Sequence, residues 1–154
     1  MRRIVLFAAV VLVGLSACDP GPRVPPAAAT ERGRNEPVGE TMKVKIGSKT
    51  YSATLADTPA AKKLKAMLPL TADMSELNAN EKFFRLPAAL PTDAADPGTI
   101  RAGDLMLWQS DTLVLFYETF PTTYRYTRLG RIDDPAGLAA AVGAGDVKVT
   151  FELE

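Results

Sequence analysis

Asp104-Leu105-Met106-Leu107-Trp108 and Thr112-Leu113-Val114-Leu115-Phe116-Tyr117 are two almost wholly apolar runs, joined by Gln109-Ser110-Asp111. Short apolar runs on either side of a polar turn predict a β-hairpin, and their lack of alternation makes it the most buried part of the molecule. The segments around it read as further strands. Met42, Val44 and Ile46 alternate with lysines, Gly47-Ser48 supplies a turn, and Tyr51, Ala53 and Leu55 resume the alternation, so a half-buried hairpin opens the domain. Strands are expected near Thr71 to Leu77, Lys82 to Leu86 and Thr123 to Ile132, and a last strand carries Val147, Val149, Phe151 and Leu153 on one side.

Two helices interrupt the strands. Thr58 caps the first, Pro59 suits its first turn, and Ala61, Leu64, Ala66, Met67 and Leu68 form its apolar stripe until Pro69 stops it. For the second, Asp134 is the expected cap, Pro135 the first residue and Gly143 the end. Pro91 to Pro97 is a loop. Many short strands with two short helices predict a mainly β fold, a closed antiparallel barrel whose helices plug or flank its ends.

Ahead of this domain the chain carries an address. Arg2 and Arg3 precede an apolar run from Ile4 to Leu15, the charged and apolar parts of a secretory signal too short to span a bilayer comfortably. The run ends Leu15-Ser16-Ala17-Cys18, which resembles the lipobox of bacterial lipoproteins. Cleavage before Cys18, lipid on its thiol and stable mooring by several acyl chains are the expectations. The resemblance places the protein in a bacterial cell envelope, and Asp19 hints at the periplasmic face of the inner membrane. Residues 1–17 are thus the signal peptide, and residues 18–41, with five prolines from Pro20 to Pro37, a disordered tether. Residues 42–154 are the domain.

Composition excludes several chemistries. The 154 residues suffice for one domain with a real core. Eighteen basic residues match eighteen acidic ones, and loss of Arg2 and Arg3 with the leader leaves 16 basic. That balance argues against a nucleic-acid partner, which needs clustered positive charge. Histidine is absent and Cys18 is the only cysteine. Ser-His and Cys-His nucleophiles, the usual zinc sites and an intramolecular disulfide are therefore ruled out. No metal and no cofactor is expected, and a monomer is.

The order of elements, together with Gly103-Asp104-Leu105, Leu113 to Tyr117 and the stretch TYRYTRLGRIDDP from Thr123 to Pro135, resembles a bacterial family of small cyclophilin-like domains. The likeness extends over nearly all of residues 42 to 154. It implies the cyclophilin-like barrel, and, through the cyclophilins proper, peptidyl-prolyl isomerisation as an alternative function. Isomerases of that kind lower a rotational barrier of about 18 to 20 kcal/mol with an apolar pocket and an arginine. Here the strand after the first helix lacks the Phe-His-Arg motif carrying that arginine. Tyr126, four residues before Gly130, stands where cyclophilins place a pocket histidine.

The leading expectation is a membrane-anchored module that binds a peptide or small molecule. Tyr124, Tyr126 and Arg128 fall on one face of their strand, with Arg125, Thr127, Leu129 and Arg131 on the other. Two aromatic faces and a guanidinium can stack on and hydrogen-bond a ligand, although the same pattern serves cross-strand packing. Trp108 and Phe116 are candidates for an apolar pocket floor or plain core. Asn78-Ala79-Asn80-Glu81 with Arg85 forms a polar, irregular region suited to binding groups or to a turn. The candidate ligand-binding set is Arg85, Trp108, Phe116, Tyr124, Tyr126 and Arg128, with Cys18 for lipid. Asp133 and Asp134 have the makings of an acid-base pair, but a helix cap before Pro135 explains Asp134 and is preferred.

Overall fold

The computed structural model describes residues 39–154. The signal peptide, Cys18 and all but the end of the tether lie outside them. Ten strands and two helices follow in the order β1 (Thr41–Ile46), β2 (Lys49–Leu55), α1 (Pro59–Lys65), β3 (Leu70–Leu77), β4 (Glu81–Arg85), β5 (Thr99–Ile100), β6 (Asp104–Trp108), β7 (Thr112–Phe116), β8 (Phe120–Pro121), β9 (Thr127–Ile132), α2 (Leu138–Val142) and β10 (Val147–Leu153). Eight strands close an antiparallel barrel in the order β1-β10-β3-β4-β7-β6-β9-β2, and β5 pairs with β8 in a separate ribbon. Closure removes the free edges that an open sheet would expose. The mainly β barrel with two short helices expected from the sequence is what the chain forms.

The apolar hairpin β6–β7 is the key to the layering. Successive side chains point to opposite faces of a strand. Leu105, Leu107, Leu113 and Leu115 therefore enter the barrel core, where they join Val44, Met74, Val149 and Phe151 and the helix residues Leu64 and Leu138. Met106, Val114 and Phe116 point outward, where Ile100 and Tyr126 cover them with help from Phe83, Trp108 and Phe120. The hairpin is apolar throughout because it is buried twice, once inside the barrel and once beneath an external layer.

Local chemistry explains the helix ends. Thr58 Oγ1 accepts a hydrogen bond from the Ala61 amide at 3.1 Å, so α1 starts where its cap and Pro59 direct. It ends at Lys65, short of the expected Pro69. α2 also departs from expectation: it begins at Leu138 after Gly137, a glycine at φ 75. Asp134 instead closes the turn before the helix, its Oδ1 accepting from the Ala136 amide at 3.0 Å. Asp133 Oδ1 accepts from Thr54 Oγ1 at 2.8 Å, so each carboxylate has a local structural partner.

The strand expected from Thr123 to Ile132 is shorter, and its faces differ from simple alternation. It starts at Thr127, because before it the Pro91 to Pro97 loop takes over the hydrogen bonds: Ala95 forms a two-way bridge with Tyr126, and Arg125 donates to the Ala94 carbonyl. Within β9 the register with β6 slips, Leu105 facing Gly130 and Met106 facing Arg128, which leaves Leu129 as an extra residue. This β-bulge resets the parity of the strand. Thr127 and Leu129 share the inward face, but Arg131, expected with them, emerges on the same side as Arg128, and Arg131 and Arg128 approach Asp104 Oδ1 at 3.9 and 3.8 Å. Gly130 faces Leu55 across the β2–β9 seam, where an added Cβ would lie 2.6 Å from the Thr54 carbonyl oxygen. Only glycine lets the two backbones approach so closely there.

Candidate functional site

A cleft of about 1020 Å³ runs over the outer wall of the barrel. Its floor is a grid of outward side chains on three consecutive strands: Glu81, Phe83 and Arg85 on β4, Thr112 and Val114 on β7, and Trp108 on β6. Registry fixes their spacing, since Phe83 faces Val114 and Arg85 faces Thr112, which in turn faces Trp108. One side of the cleft is built by Phe120 to Tyr126, and one end by the turn holding Leu77, Asn78 and Asn80.

Aromatic rings form a continuous chain through this region. Tyr124 meets Trp108 edge to face at 5.6 Å, Trp108 meets Tyr126 at 5.3 Å, Tyr126 meets Phe116 edge to face at 5.5 Å, and Phe116 meets Phe120 at 5.7 Å. Offset and edge contacts of this kind hold rings in place beyond what area burial alone gives. Tyr124 is nonetheless 64% exposed, an aromatic face turned to solvent at the mouth of the cleft.

Of the six residues singled out in the sequence, four line the cleft: Arg85, Trp108, Tyr124 and Tyr126. Phe116 lies beneath the floor, fully buried, and supports Tyr126 rather than meeting a ligand. Arg128 stands apart, half exposed, beside the buried carboxylate of Asp104. Arg128 pairs with Met106 on the outer face, where Tyr126 also lies, but it does not line the cleft that Tyr126 borders.

Glu81 is the residue that the candidate set omits. Only 9% exposed, it lines the cleft at the end nearest Asn80, across from Phe116 on β7. Burial, with the charge of Glu76 adding to it, pushes its carboxyl up to about 7. Burial, followed by the charge of Glu81 and the nearby Tyr124, pushes the Tyr126 phenol up to about 12. The sequence did carry a signal: β4 places charges on both faces, Glu81 and Arg85 on one and Lys82 on the other, and a barrel wall cannot expose both.

The inward charge of that strand is satisfied separately. Lys82 has no solvent exposure; its Nζ pairs with Glu76 and donates to the carbonyls of Gly143 at 2.7 Å and Gly145 at 2.6 Å. The Tyr117 hydroxyl donates to the other Glu76 oxygen at 2.8 Å, and the Lys82 ammonium lies 5.3 Å from the Tyr117 ring centroid. Burial opposes ionisation of Glu76, but the hydrogen bonds from Lys82 and Tyr117 and the lysine charge outweigh it and hold the carboxyl below its ordinary value. Among the described residues no cluster of three or more Asp, Glu, His or Cys side chains is placed to hold a metal ion.

The turn between these two systems is strained. Asn78 and Ala79 both adopt φ 56, a left-handed conformation that alanine rarely enters. It places the Asn80 carbonyl to accept from the Tyr117 amide at 3.0 Å and sets Asn80 and Glu81 at the cleft end.

Comparisons with known proteins agree with this architecture. Among curated proteins none matches the chain. The solution structure of a hypothetical protein from Archaeoglobus fulgidus superposes with a TM-score of 0.58 over 79% of this chain and 99% of that one, at 17% identity, a likeness of fold alone. The model of the cyclophilin-like family matches residues 44–152, from the first strand to the last. With that match spanning the whole barrel, the chain belongs to the cyclophilin-like family.

Proposed function

We propose that this domain is a ligand-binding module, moored to a membrane by lipid on Cys18, which takes an extended peptide or small molecule into the outer cleft. One observation carries the binding reading. A groove at the upper end of the usual ligand-pocket volume has an aromatic floor and a few polar groups at its ends, the composition expected of a site that orients a partly apolar ligand. Glu81 and Arg85 lie four residues apart on one strand, about 13 Å at the rise of β-structure. That span suits three or four residues of extended chain with opposite charges at its ends.

Mooring rests on the leader, whose charged start, apolar run and Leu15-Ser16-Ala17-Cys18 ending have the features of a lipidation signal. Cells fed labelled fatty acid are expected to label the chain and to lose the label in Cys18→Ser. Labelling that survives the substitution rejects the anchor.

For binding, amide chemical shifts of the full chain, followed during titration with peptide and metabolite pools, are expected to move at Phe83, Trp108 and Tyr126. Trp108→Ala should weaken any hit about tenfold, because the ring both lines the groove and steadies Tyr124 and Tyr126. Shifts scattered over the barrel would defeat this reading. Prolyl isomerisation stays as a second reading on one observation: Arg85 sits beside the apolar groups Phe83 and Trp108, the combination of guanidinium and apolar floor that the reaction uses. A protease-coupled prolyl-peptide assay separates the two, and a rate equal to the uncatalysed background rejects catalysis.

A further inference from the structure

Resting on the cleft as a binding site, we propose that its Glu81 end receives a primary ammonium group on an apolar stem, such as a lysine side chain of a bound peptide.

Glu81 is an acidic group that lacks a counterpart in the fold. Glu81 is nine-tenths buried, yet among the described residues no lysine or arginine nitrogen lies within 4 Å of its carboxylate. Its sequence neighbour Lys82 points through the wall to Glu76, and Arg85, about 13 Å along the strand, leans toward Asp111 at 3.7 Å. The titratable groups that act on Glu81 from the elements around it are anionic or neutral: Glu76 on β3, Tyr117 after β7 and Tyr126 before β9. A carboxylate in such a place is costly to ionise without a cation, so an occupant that brings one gains what the fold withholds.

The surroundings fit an ammonium in two further respects. Asn80 borders the same end of the cleft, and its Oδ1 is buried without a hydrogen-bond partner. An ammonium has three donors, and a carboxylate and an unpartnered amide oxygen from adjacent residues at one end of the cleft are acceptors for two of them. Tyr126 and Trp108, in contact with each other, line the same cleft and supply apolar surface for a methylene stem. An anionic occupant would instead face the field of both Glu81 and Glu76.

The test uses the full chain in uncharged maltoside detergent and two probes, acetyl-Phe-Lys-amide and its neutral counterpart acetyl-Phe-norleucine-amide, followed by chemical shift and calorimetry. At pH 8 the lysine probe is expected to bind at least tenfold more tightly than the norleucine probe, with shifts at Glu81 and Tyr126. Its affinity should rise about tenfold from pH 6 to pH 8, as a group titrating near 7 goes from about one-tenth to nine-tenths ionised. Glu81→Gln should lower the lysine probe to the level of the norleucine probe. The pH profile of the unaltered chain gives the same readout should that variant misfold. Equal affinity of both probes at the cleft overturns the ammonium assignment and leaves the cleft standing as a binding site. Tighter binding of the lysine probe with a flat pH profile and no loss in Glu81→Gln also overturns it.

Discussion

Lys82→Met is expected to lower the unfolding free energy by about 3 to 5 kcal/mol, the cost of breaking a buried ion pair by removing one partner. The size follows from what the ammonium satisfies. Its three donors go to Glu76 and to the Gly143 and Gly145 carbonyls, and it has no contact with solvent. Methionine fills nearly the same volume but donates nothing, so two carbonyls between α2 and β10 lose their donor and Glu76, still bonded by the Tyr117 hydroxyl, loses its cation. Those carbonyls belong to the segment leading into β10, the strand that sits between β1 and β3. Loosening it bears on closure of the barrel. The controls are Glu76→Gln alone and Lys82→Met with Glu76→Gln: in the double variant, removal of the unpaired charge should return part of the loss, and chemical denaturation of the parent and the three variants forms a double-mutant cycle. If Lys82→Met alone costs under 1 kcal/mol, the network contributes little and the barrel closes on apolar packing.

Much of this architecture was legible in the residues, and the exceptions lie at element ends, at a strand irregularity and where long-range strand neighbours decide burial. Alternation in Met42 to Leu55 and the solid apolar runs around Gln109 gave the hairpins, since burial on one face or on two leaves a direct trace in sequence. Thr58 and Pro59 marked a helix start because capping is local chemistry. What failed was every inference that carried a simple period across an irregularity. Arg131 shares parity with Thr127 and Leu129 on paper, but the bulge at Leu129 brings it round to join Arg128, and the bridge of Tyr126 to Ala95 leaves the strand to begin only at Thr127. A bulge has no reliable residue signature, so its effect on facing cannot be read from spacing alone. The cleft was half visible: its aromatic side was read from Trp108, Tyr124 and Tyr126, whereas Glu81 was passed over inside a polar stretch that reads as a turn. Burial of a single carboxylate depends on which strands flank it. β4 lies between β3 and β7, and β3 precedes it in sequence while β7 comes three strands later.

Glu81 also sets the second large effect, the dependence of stability on pH. Its folded value is raised from 4.5 to about 7, so the protonated form is the one the fold prefers. The stability linked to it is fully present below pH 4.5 and is lost as pH rises through 7. Two and a half pH units correspond to about 3 kcal/mol. Glu76 acts in the opposite sense: held below 4.5 in the fold, it stabilises above that value, and its share is lost as pH falls through the folded one. The two slopes meet, so maximal stability is expected near pH 4.5, with a decline toward neutrality that a protein lacking a buried unpaired carboxylate would not show. Glu81→Gln removes the neutral-side slope, leaving the variant about 3 kcal/mol more stable than the parent at pH 8 and no different at pH 4. Denaturation midpoints of both chains at pH 4, 6 and 8 check it. Parallel curves would mean that Glu81 is solvated well enough to ionise freely, and the cleft would then have no unmet charge to offer a ligand. The same substitution that steadies the fold is the one expected to blunt cation binding, as happens when a group is kept at some cost to the scaffold for the sake of what it meets.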